Sequence, residues 1–271
     1  MDGTRFGVFQ VSSHLVGVPA DHIHEMFILG DVRVPPRCPA YQRGAAVLRG
    51  SVYPAIDLRV CMGHVSARTE HESLLAQLSE REEDHRRWLA ELEASVRERR
   101  PFTLAIDPRR CKFGLWYYAF ETDDPVLRGV LDEFERPHAE IHALASEVEA
   151  LQAAGRGDEA VRRIAEARTG LLASLLDVFQ LTRAAMREAH KEIGVTVELA
   201  GRRAVLVVDR AEAVADLEEI GGPDDPLANT ALPVELFARM ARWRGSAAPV
   251  LVLDLAQVAR LGAAPGAPGT T

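Results

Sequence analysis

The stretch Cys111-Lys-Phe-Gly-Leu-Trp116 lies near the middle of this 271-residue chain, between two segments with helical periodicity. His85-x-x-Trp88 precedes it, and His138-x-x-x-His142 follows it. Two residues four apart on a helix lie one turn apart on the same face, so the paired rings can reach one ion. Imidazole nitrogen and thiolate sulfur are zinc ligands, and four of them form a closed site, typical of a structural or sensing ion. We therefore predict one metal site formed by His85, Cys111, His138 and His142.

The segments on both sides of this motif predict a helical domain over residues 68–192. Their apolar residues recur at steps of three and four, which is the spacing of an amphipathic helix. Long helices are expected from about Ala67 to Arg99, from Asp124-Pro125 to about Gly155, and from about Asp158 to Ile193. Asp107-Pro108 has the pattern of an N-cap and first residue of a short helix. Together these helices predict an antiparallel bundle.

Short apolar runs separated by turn residues flank the helical segment and predict β-strands. The predicted strands are Phe6–Val11, Leu15–Val18, Ile23–Leu29, Ala45–Leu48, Val52–Ile56, Val195–Leu199, Ala204–Val208 and Val250–Leu255. The order β, α, β predicts an α+β multidomain chain, in which a β domain over residues 1–67 and 193–261 is interrupted by the helical insertion. Residues 262–271 consist only of Gly, Ala, Pro and Thr, so a disordered tail is expected.

The composition excludes several classes of protein. Hydrophobic residues make up 47% of the chain and charged residues 27%, as in ordinary globular proteins. The net charge of −8 argues against nucleic-acid binding, which needs a basic surface. The apolar runs are too short to cross a membrane, and no signal-peptide pattern is present, so a cytoplasmic location is expected. No catalytic triad, phosphate loop or kinase signature is recognisable, so no enzymatic activity is predicted.

The helical segment resembles the chemoreceptor zinc-binding (CZB) domain family. That family has a His near a Trp, a Cys-x-Phe-Gly-x-Trp-like motif and a His-x-x-x-His pair. The resemblance implies that His85, Cys111, His138 and His142 hold zinc in a helical bundle that senses zinc or oxidants and can form a homodimer. We also expect the neighbouring Arg109, Arg110 and Lys112 to favour the thiolate of Cys111.

The β segments resemble a CheW-like domain. Gly44-Ala-Ala-Val-Leu-Arg-Gly-Ser-Val-Tyr-Pro-Ala-Ile-Asp-Leu-Arg59 is similar to the central stretch of that family, Ala204–Val214 to the strand and turn that follow, and Val250–Leu255 to the last strand. The resemblance implies a pair of SH3-like β-barrels and an adaptor that couples the cytoplasmic tip of a chemoreceptor to the regulatory domain of a histidine kinase. It also implies a partner contact at Arg49 and Gly50, where the tight turn is expected to require a positive φ at the glycine.

Two alternatives remain open at this point. Glu82-x-x-His85 and Glu135-x-x-His138 are two Glu-x-x-His pairs on different predicted helices, as in ferritin-like di-iron enzymes. That interpretation leaves Cys111 and His142 without a role. The other alternative is a zinc ion that only stabilises the bundle and senses nothing.

Overall fold

A computed structural model of the chain describes residues 5–220, 232–244 and 247–263. The strands are β1 (Arg5–Val11), β2 (His14–Pro19), β3 (Ile23–Ile28), β4 (Gln42–Leu48), β5 (Ser51–Asp57), β6 (Ile193–Leu199), β7 (Arg202–Val208), β8 (Arg210–Asp216), β9 (Glu218–Glu219), β10 (Phe237–Arg242) and β11 (Pro249–Leu253). The helices are α1 (Leu58–Cys61), α2 (Ala67–Arg97), α3 (Lys112–Tyr117), α4 (Pro125–Asp132), α5 (Glu135–Ala153), α6 (Gly157–Ala167), α7 (Ala173–Ala189) and α8 (Leu255–Ala263).

The chain divides into two compact units. One consists of residues up to Glu70 together with residues from Lys191 onward, and the other is His71–His190. The domain boundaries predicted from the sequence, 67/68 and 192/193, differ from these limits by three and two residues. All of the strands belong to the first unit, which we call the β unit, and the second is the helical unit.

The β unit contains two mixed sheets, each assembled from both parts of the sequence. One has the strand order β8-β1-β2-β11-β10-β9, and the other has the order β3-β6-β7-β5-β4. In the first sheet β1 pairs with β8, and β2 runs parallel to β11; in the second, β3 pairs with β6, and β5 runs parallel to β7. Strands before the helical insertion therefore depend on strands after it, so the two sequence segments form one folded unit.

The two sheets share one apolar core. Phe9 and Val16 from the first sheet pack in the same buried cluster as Ile56, Val195 and Leu206 from the second. Alternate residues of β6 and of β7 belong to this cluster, as the two-residue repeat of a strand requires, and most of the residues between them are buried as well. The predicted strands contribute buried residues that are at most 3% exposed, among them Val8, Val18, Ile56, Val207 and Leu253.

The end of the β unit differs from the prediction. Strand β11 ends at Leu253, because the carboxylate of Asp254 accepts hydrogen bonds from the amides of Ala256 and Gln257 and so begins α8. Helix α8 extends to Ala263, two residues into the predicted tail, and residues 264–271 lie outside the described residues. Strands β8, β9 and β10 were not predicted as strands.

The helical unit follows the predicted helices with two corrections. The predicted second helix is divided into α4 and α5 by a turn at residues 133–134. The predicted third helix consists of α6, a π-helical turn at Arg168–Leu172 and α7, and it ends at Ala189 because Ile193 already begins β6. The π turn adds a residue to the helical repeat. Beyond it, Leu175, Val178, Phe179 and Thr182 are buried, whereas Leu181, which the apolar spacing predicts on the buried face, is 52% exposed.

The core of the helical unit is built from the apolar stripes of its long helices. Its largest buried members are Leu78, Trp88, Leu89, Leu92, Phe113, Phe134, Ile141, Leu144, Ile164, Leu175 and Phe179. None of the helices within residues 5–220, 232–244 and 247–263 has the length and apolar character needed to cross a membrane.

Candidate metal centre

The structure brings the four predicted metal-binding side chains together in the helical unit. His85, His138 and His142 are at most 4% exposed, and Cys111 is half-buried. One ligand atom from each residue lies within 4.8 Å of the ligand atoms of the other three. Among the residues that the structure describes, this is the one group of three or more His, Cys, Asp or Glu side chains in such an arrangement.

Three elements supply these side chains. His85 lies on α2, His138 and His142 lie on α5, and Cys111 precedes α3. The rings of His138 and His142 have centroids 4.9 Å apart, as the spacing of four residues predicts for one helix face. The ring of His85 has its centroid 5.2 Å from that of His138 and 5.8 Å from that of His142.

Cys111 is held in place because it is also the N-cap of α3. Its backbone is extended, and its Sγ accepts a hydrogen bond from the amide of Gly114 over 3.1 Å. The same sulfur lies 3.3 Å from Nε2 of His138. The prediction that Asp107 caps this helix is wrong, because its carboxylate accepts only from the amide of Arg109 in the preceding turn. Cys111, one of the predicted metal ligands, itself supplies the cap.

Gly114 is required at its position by the close approach of the preceding loop. A Cβ atom built there would lie 1.8 Å from the carbonyl oxygen of Pro108. The Cys-x-Phe-Gly part of the motif therefore has a structural explanation: glycine lets the loop cross over α3 and brings its own amide to the sulfur of Cys111.

Unpaired nitrogen atoms identify the centre as a ligand site. Nδ1 of His85 lies 2.7 Å from the carbonyl oxygen of Arg81, which can only accept, so Nδ1 carries the proton and Nε2 keeps its lone pair. Four ring nitrogens of the centre are buried without a hydrogen-bond partner in the described part of the chain: Nε2 of His85, Nδ1 of His138 and both nitrogens of His142. Because unpaired buried polar atoms are costly, they indicate a missing ligand.

The protonation states suit a cation once the thiol has lost its proton. Burial, with a smaller effect of the neighbouring imidazoles, lowers the pKa of His138 to about 3 and that of His142 to about 4. Both rings are therefore neutral at neutral pH, which is the form that binds metal. Burial raises the pKa of the Cys111 thiol, although the amides of Gly114 and Phe113 oppose this.

The expectation that nearby cations favour the thiolate of Cys111 is wrong for the metal-free protein. Burial has the largest effect on the pKa of this thiol, and the cation that lowers the pKa is Arg81 rather than any of the three predicted from the sequence; the guanidinium of Arg109 lies over the ring of Tyr118, 4.6 Å from its centroid. A bound metal ion must therefore supply the positive charge that removes the thiol proton.

The geometry gives no support to the di-iron alternative. The carboxylate of Glu82 forms ion pairs with Arg183 at 2.6 Å and Arg86 at 2.7 Å. That of Glu135 accepts hydrogen bonds from the hydroxyl of Tyr118. Neither glutamate belongs to the group of metal-binding side chains, so the carboxylates that would bridge two irons are not at the site.

The other predicted site residues, Arg49 and Gly50, form the tip of the hairpin between β4 and β5 in the β unit. Their φ angles are 49° and 81°, and Leu48 pairs with Ser51 across the turn. Positive φ at both positions is typical of a type I′ turn, which confirms the expectation for Gly50. The side chain of Arg49 is 81% exposed, and its Nη2 lies 3.0 Å from a carboxylate oxygen of Glu25.

Sequence reasoning missed the role of Arg59, although the residue ends the Asp57-Leu-Arg stretch quoted above. Its Nε lies 2.7 and 2.8 Å from the two carboxylate oxygens of Asp209, and its Nη1 lies 2.5 Å from Glu70. Asp209 also accepts a hydrogen bond from the amide of Ser12. Arg59 therefore joins both sequence segments of the β unit to the first turn of α2.

Comparison with known families agrees with these observations. Residues 5–83 match the family model of the CheW-like domain, and residues 85–149 match that of the chemoreceptor zinc-binding domain. No curated protein matches the chain. Among solved structures, the chain is similar to the scaffolding protein TtCheW from Thermoanaerobacter tengcongensis, with 12% identity and a TM-score of 0.41, over 94% of this chain and 90% of that one.

Proposed function

Since the chain contains a CheW-like domain and a chemoreceptor zinc-binding domain, with zinc as its cofactor, we propose that it is a cytoplasmic signalling adaptor without enzymatic activity. Its partners in this proposal are the cytoplasmic tip of a chemoreceptor and the regulatory domain of a histidine kinase. The two sheets correspond to a pair of SH3-like barrels, and the helical unit to the inserted zinc-binding bundle. Zinc occupancy, or oxidation of Cys111, is the input.

The observation that carries the proposal is the buried group of three histidines and one cysteine. We assign the zinc ligands to His85 and Cys111 and to the pair on α5, His138 and His142. A tetrahedral zinc ion with bonds of ~2.0–2.3 Å keeps its ligand atoms roughly 3.3–3.7 Å apart, so ligand atoms that lie up to 4.8 Å apart must approach one another by about 1 Å to bind it. When bound, zinc supplies the positive charge that keeps the Cys111 sulfur deprotonated.

The chain's own residues offer a route from the zinc ligands to the adaptor. Helix α2 is one continuous helix of 31 residues that carries both Glu70 and His85, which are about 22 Å apart along its axis. Glu70 contacts Arg59, which holds Asp209 of the β unit. In the proposed mechanism, a displacement of His85 after loss of zinc moves α2 and alters the contact between Glu70 and Arg59.

The ligand assignment is tested by metal content. Single His85→Ala, Cys111→Ala, His138→Ala and His142→Ala variants are purified beside His22→Ala, an exposed histidine of the β unit. Elemental analysis should give one zinc per chain for the wild type and for His22→Ala, and a large loss for the other four. Full zinc content in any of those four variants would remove that residue from the assignment.

The regulatory role is tested by binding. The regulatory domain of a chemotaxis histidine kinase from the same organism is titrated with zinc-loaded protein, with chelated protein and with Arg49→Ala. We expect the affinity to differ between the zinc-loaded and chelated forms, and to fall for Arg49→Ala. Equal affinities for the two metal states would favour the alternative of a purely structural zinc ion, which the burial of all three histidines also suits.

A further inference from the structure

A concave groove in the helical unit borders the metal centre. Its volume is about 780 Å³, and its lining includes His85, Cys111 and His142, whereas His138 does not line it. That volume lies within the range of roughly 300–1,000 Å³ that is typical of small-molecule sites. The proposed zinc centre therefore has one side that faces a cavity large enough for a small organic molecule.

The walls of this groove are largely apolar. Trp88 and Phe113 contribute from the core side, and Leu104, 42% exposed, contributes from the loop between α2 and α3. The indole Nε1 of Trp88 donates a hydrogen bond to the carbonyl of Ala105 over 2.8 Å, which attaches this loop to α2. The groove is thus bounded by connected elements, and a hydrocarbon chain would find an apolar surface there.

The charges around the groove are not balanced. Its two acidic residues are neutralised: Asp84 forms ion pairs with Arg81 and Arg87, and Glu91 forms one with Arg100 at 2.5 Å. Two further cations line the groove, Arg110 and Lys112, and within the described ranges of the chain neither forms an ion pair. An apolar cavity with two unneutralised cations at its edge is complementary to a molecule with an apolar body and an anionic head.

We propose that the groove binds an amphipathic carboxylate, with its hydrocarbon chain against Trp88 and Leu104 and its carboxylate beside Arg110 and Lys112. The proposal deepens the proposed function and rests on it, because the groove borders three of the assigned zinc ligands. A molecule bound here covers Cys111 and slows the reaction of its sulfur with reagents from solution. The input of the sensor then depends on a small molecule as well as on the metal.

The binding test uses decanoate as the probe, with decanol as the uncharged control, and zinc-loaded full-length protein. We expect saturable quenching of tryptophan fluorescence by decanoate, loss of that signal in Trp88→Phe, and much weaker binding of decanol. The Arg110→Ala/Lys112→Ala double variant should bind decanoate at least about 10-fold more weakly and lose its preference for decanoate over decanol. Arg136→Ala/Arg156→Ala, with the same charge change outside the groove lining, should bind as the wild type does.

The outcomes separate this inference from the proposed function. Zinc content is measured for each variant, so that a failure of the zinc site is recognised independently of decanoate binding. Zinc-loaded protein that shows no saturable decanoate binding at millimolar concentrations overturns the groove proposal and leaves the adaptor proposal intact. Equal loss of affinity in both double variants would reveal a general charge effect. Dimerisation that buries Trp88, detected by light scattering and fluorescence, would assign the groove to a second copy of the chain. Either result overturns the groove proposal.

Discussion

Substituting Gly114 by alanine should damage the metal centre without removing any of the proposed ligands. The added Cβ would lie 1.8 Å from the carbonyl oxygen of Pro108 and 2.9 Å from its carbonyl carbon. Both are backbone atoms, so no side-chain rotation relieves the contact. The loop before Cys111 or the start of α3 must move by about 1.2 Å merely to reach a separation of 3.0 Å.

The displacement acts directly on the sulfur, because the amide of Gly114 donates the hydrogen bond that fixes Sγ of Cys111. Overpacking of this kind costs about 1–3 kcal/mol of stability. Loss of an outer hydrogen bond to a ligand weakens metal binding by roughly 10–100-fold, which corresponds to about 1.4–2.8 kcal/mol. We therefore expect Gly114→Ala to remain folded when zinc is in excess and to release zinc to a competing chelator far more readily than the wild type.

The assay is a zinc competition titration with a chromophoric chelator, combined with urea unfolding of the metal-free protein. Gly129→Ala is the matched control, because its added Cβ meets no atom within 4 Å and the residue lies in α4 of the same unit. It should keep wild-type zinc affinity and gain up to ~1 kcal/mol, as glycine is unfavourable within helices. If Gly114→Ala bound zinc as tightly as Gly129→Ala, the proposed role of this glycine in orienting the thiolate would be refuted.

Three further predictions concern stability. In the metal-free protein, the pKa values of His138 and His142 are lower in the folded state than the unfolded value of ~6.5. The stability that is present above pH 6.5 should therefore be lost as the pH falls towards 4. The expected loss is roughly 1.4 kcal/mol per histidine per pH unit. Urea unfolding at several pH values checks this, and a flat profile contradicts it. Gly50→Ala should cost about 1–2 kcal/mol from its φ of 81° alone, since its Cβ meets no atom, and unchanged urea stability would contradict the type I′ turn. The lysine in Arg59→Lys cannot reproduce the contacts to Asp209 and Glu70, so the variant should lose about 1–3 kcal/mol of stability with its zinc content unchanged. Urea unfolding like that of the wild type would show that these contacts contribute nothing to stability.

The sequence predicted well which four side chains the fold brings together, because the pattern that places them is local. Histidines four apart on a helix must share a face, so His138 and His142 lie together. His85 lies on an apolar stripe that also carries Leu78 and Leu92, so its side chain is expected in the core. The sequence could not show the distances between the four ligand atoms, or that Cys111 caps α3. Both depend on how the loop at Pro108 crosses Gly114, a contact between backbone atoms that leaves no trace in hydrophobic periodicity.

The strands illustrate a different limit. Short apolar runs between turn residues identified β1 and β7, yet strand pairing is set by tertiary contacts, and the parallel pair of β5 and β7 joins residues about 150 positions apart. Strand β10 was missed because Phe237–Arg242 carries arginines on its exposed side. The π turn at Arg168–Leu172 was missed because the apolar spacing of three and four continues on both sides of it, although Gly170 within the turn is unfavourable in a helix.

The protonation states concentrate the chemistry of the proposed sensor on one atom. At neutral pH the imidazoles of His138 and His142 are already neutral, and the raised pKa of Cys111 keeps its thiol protonated until a cation binds. Zinc binding must therefore release a proton from this sulfur. Protonation and oxidation of the sulfur both remove the one anionic donor, and this sulfur also accepts the hydrogen bond from the amide of Gly114 at the start of α3. A change at Cys111 thus reaches the metal and the local helix start together, whereas a change at any of the three histidines removes only a neutral ligand.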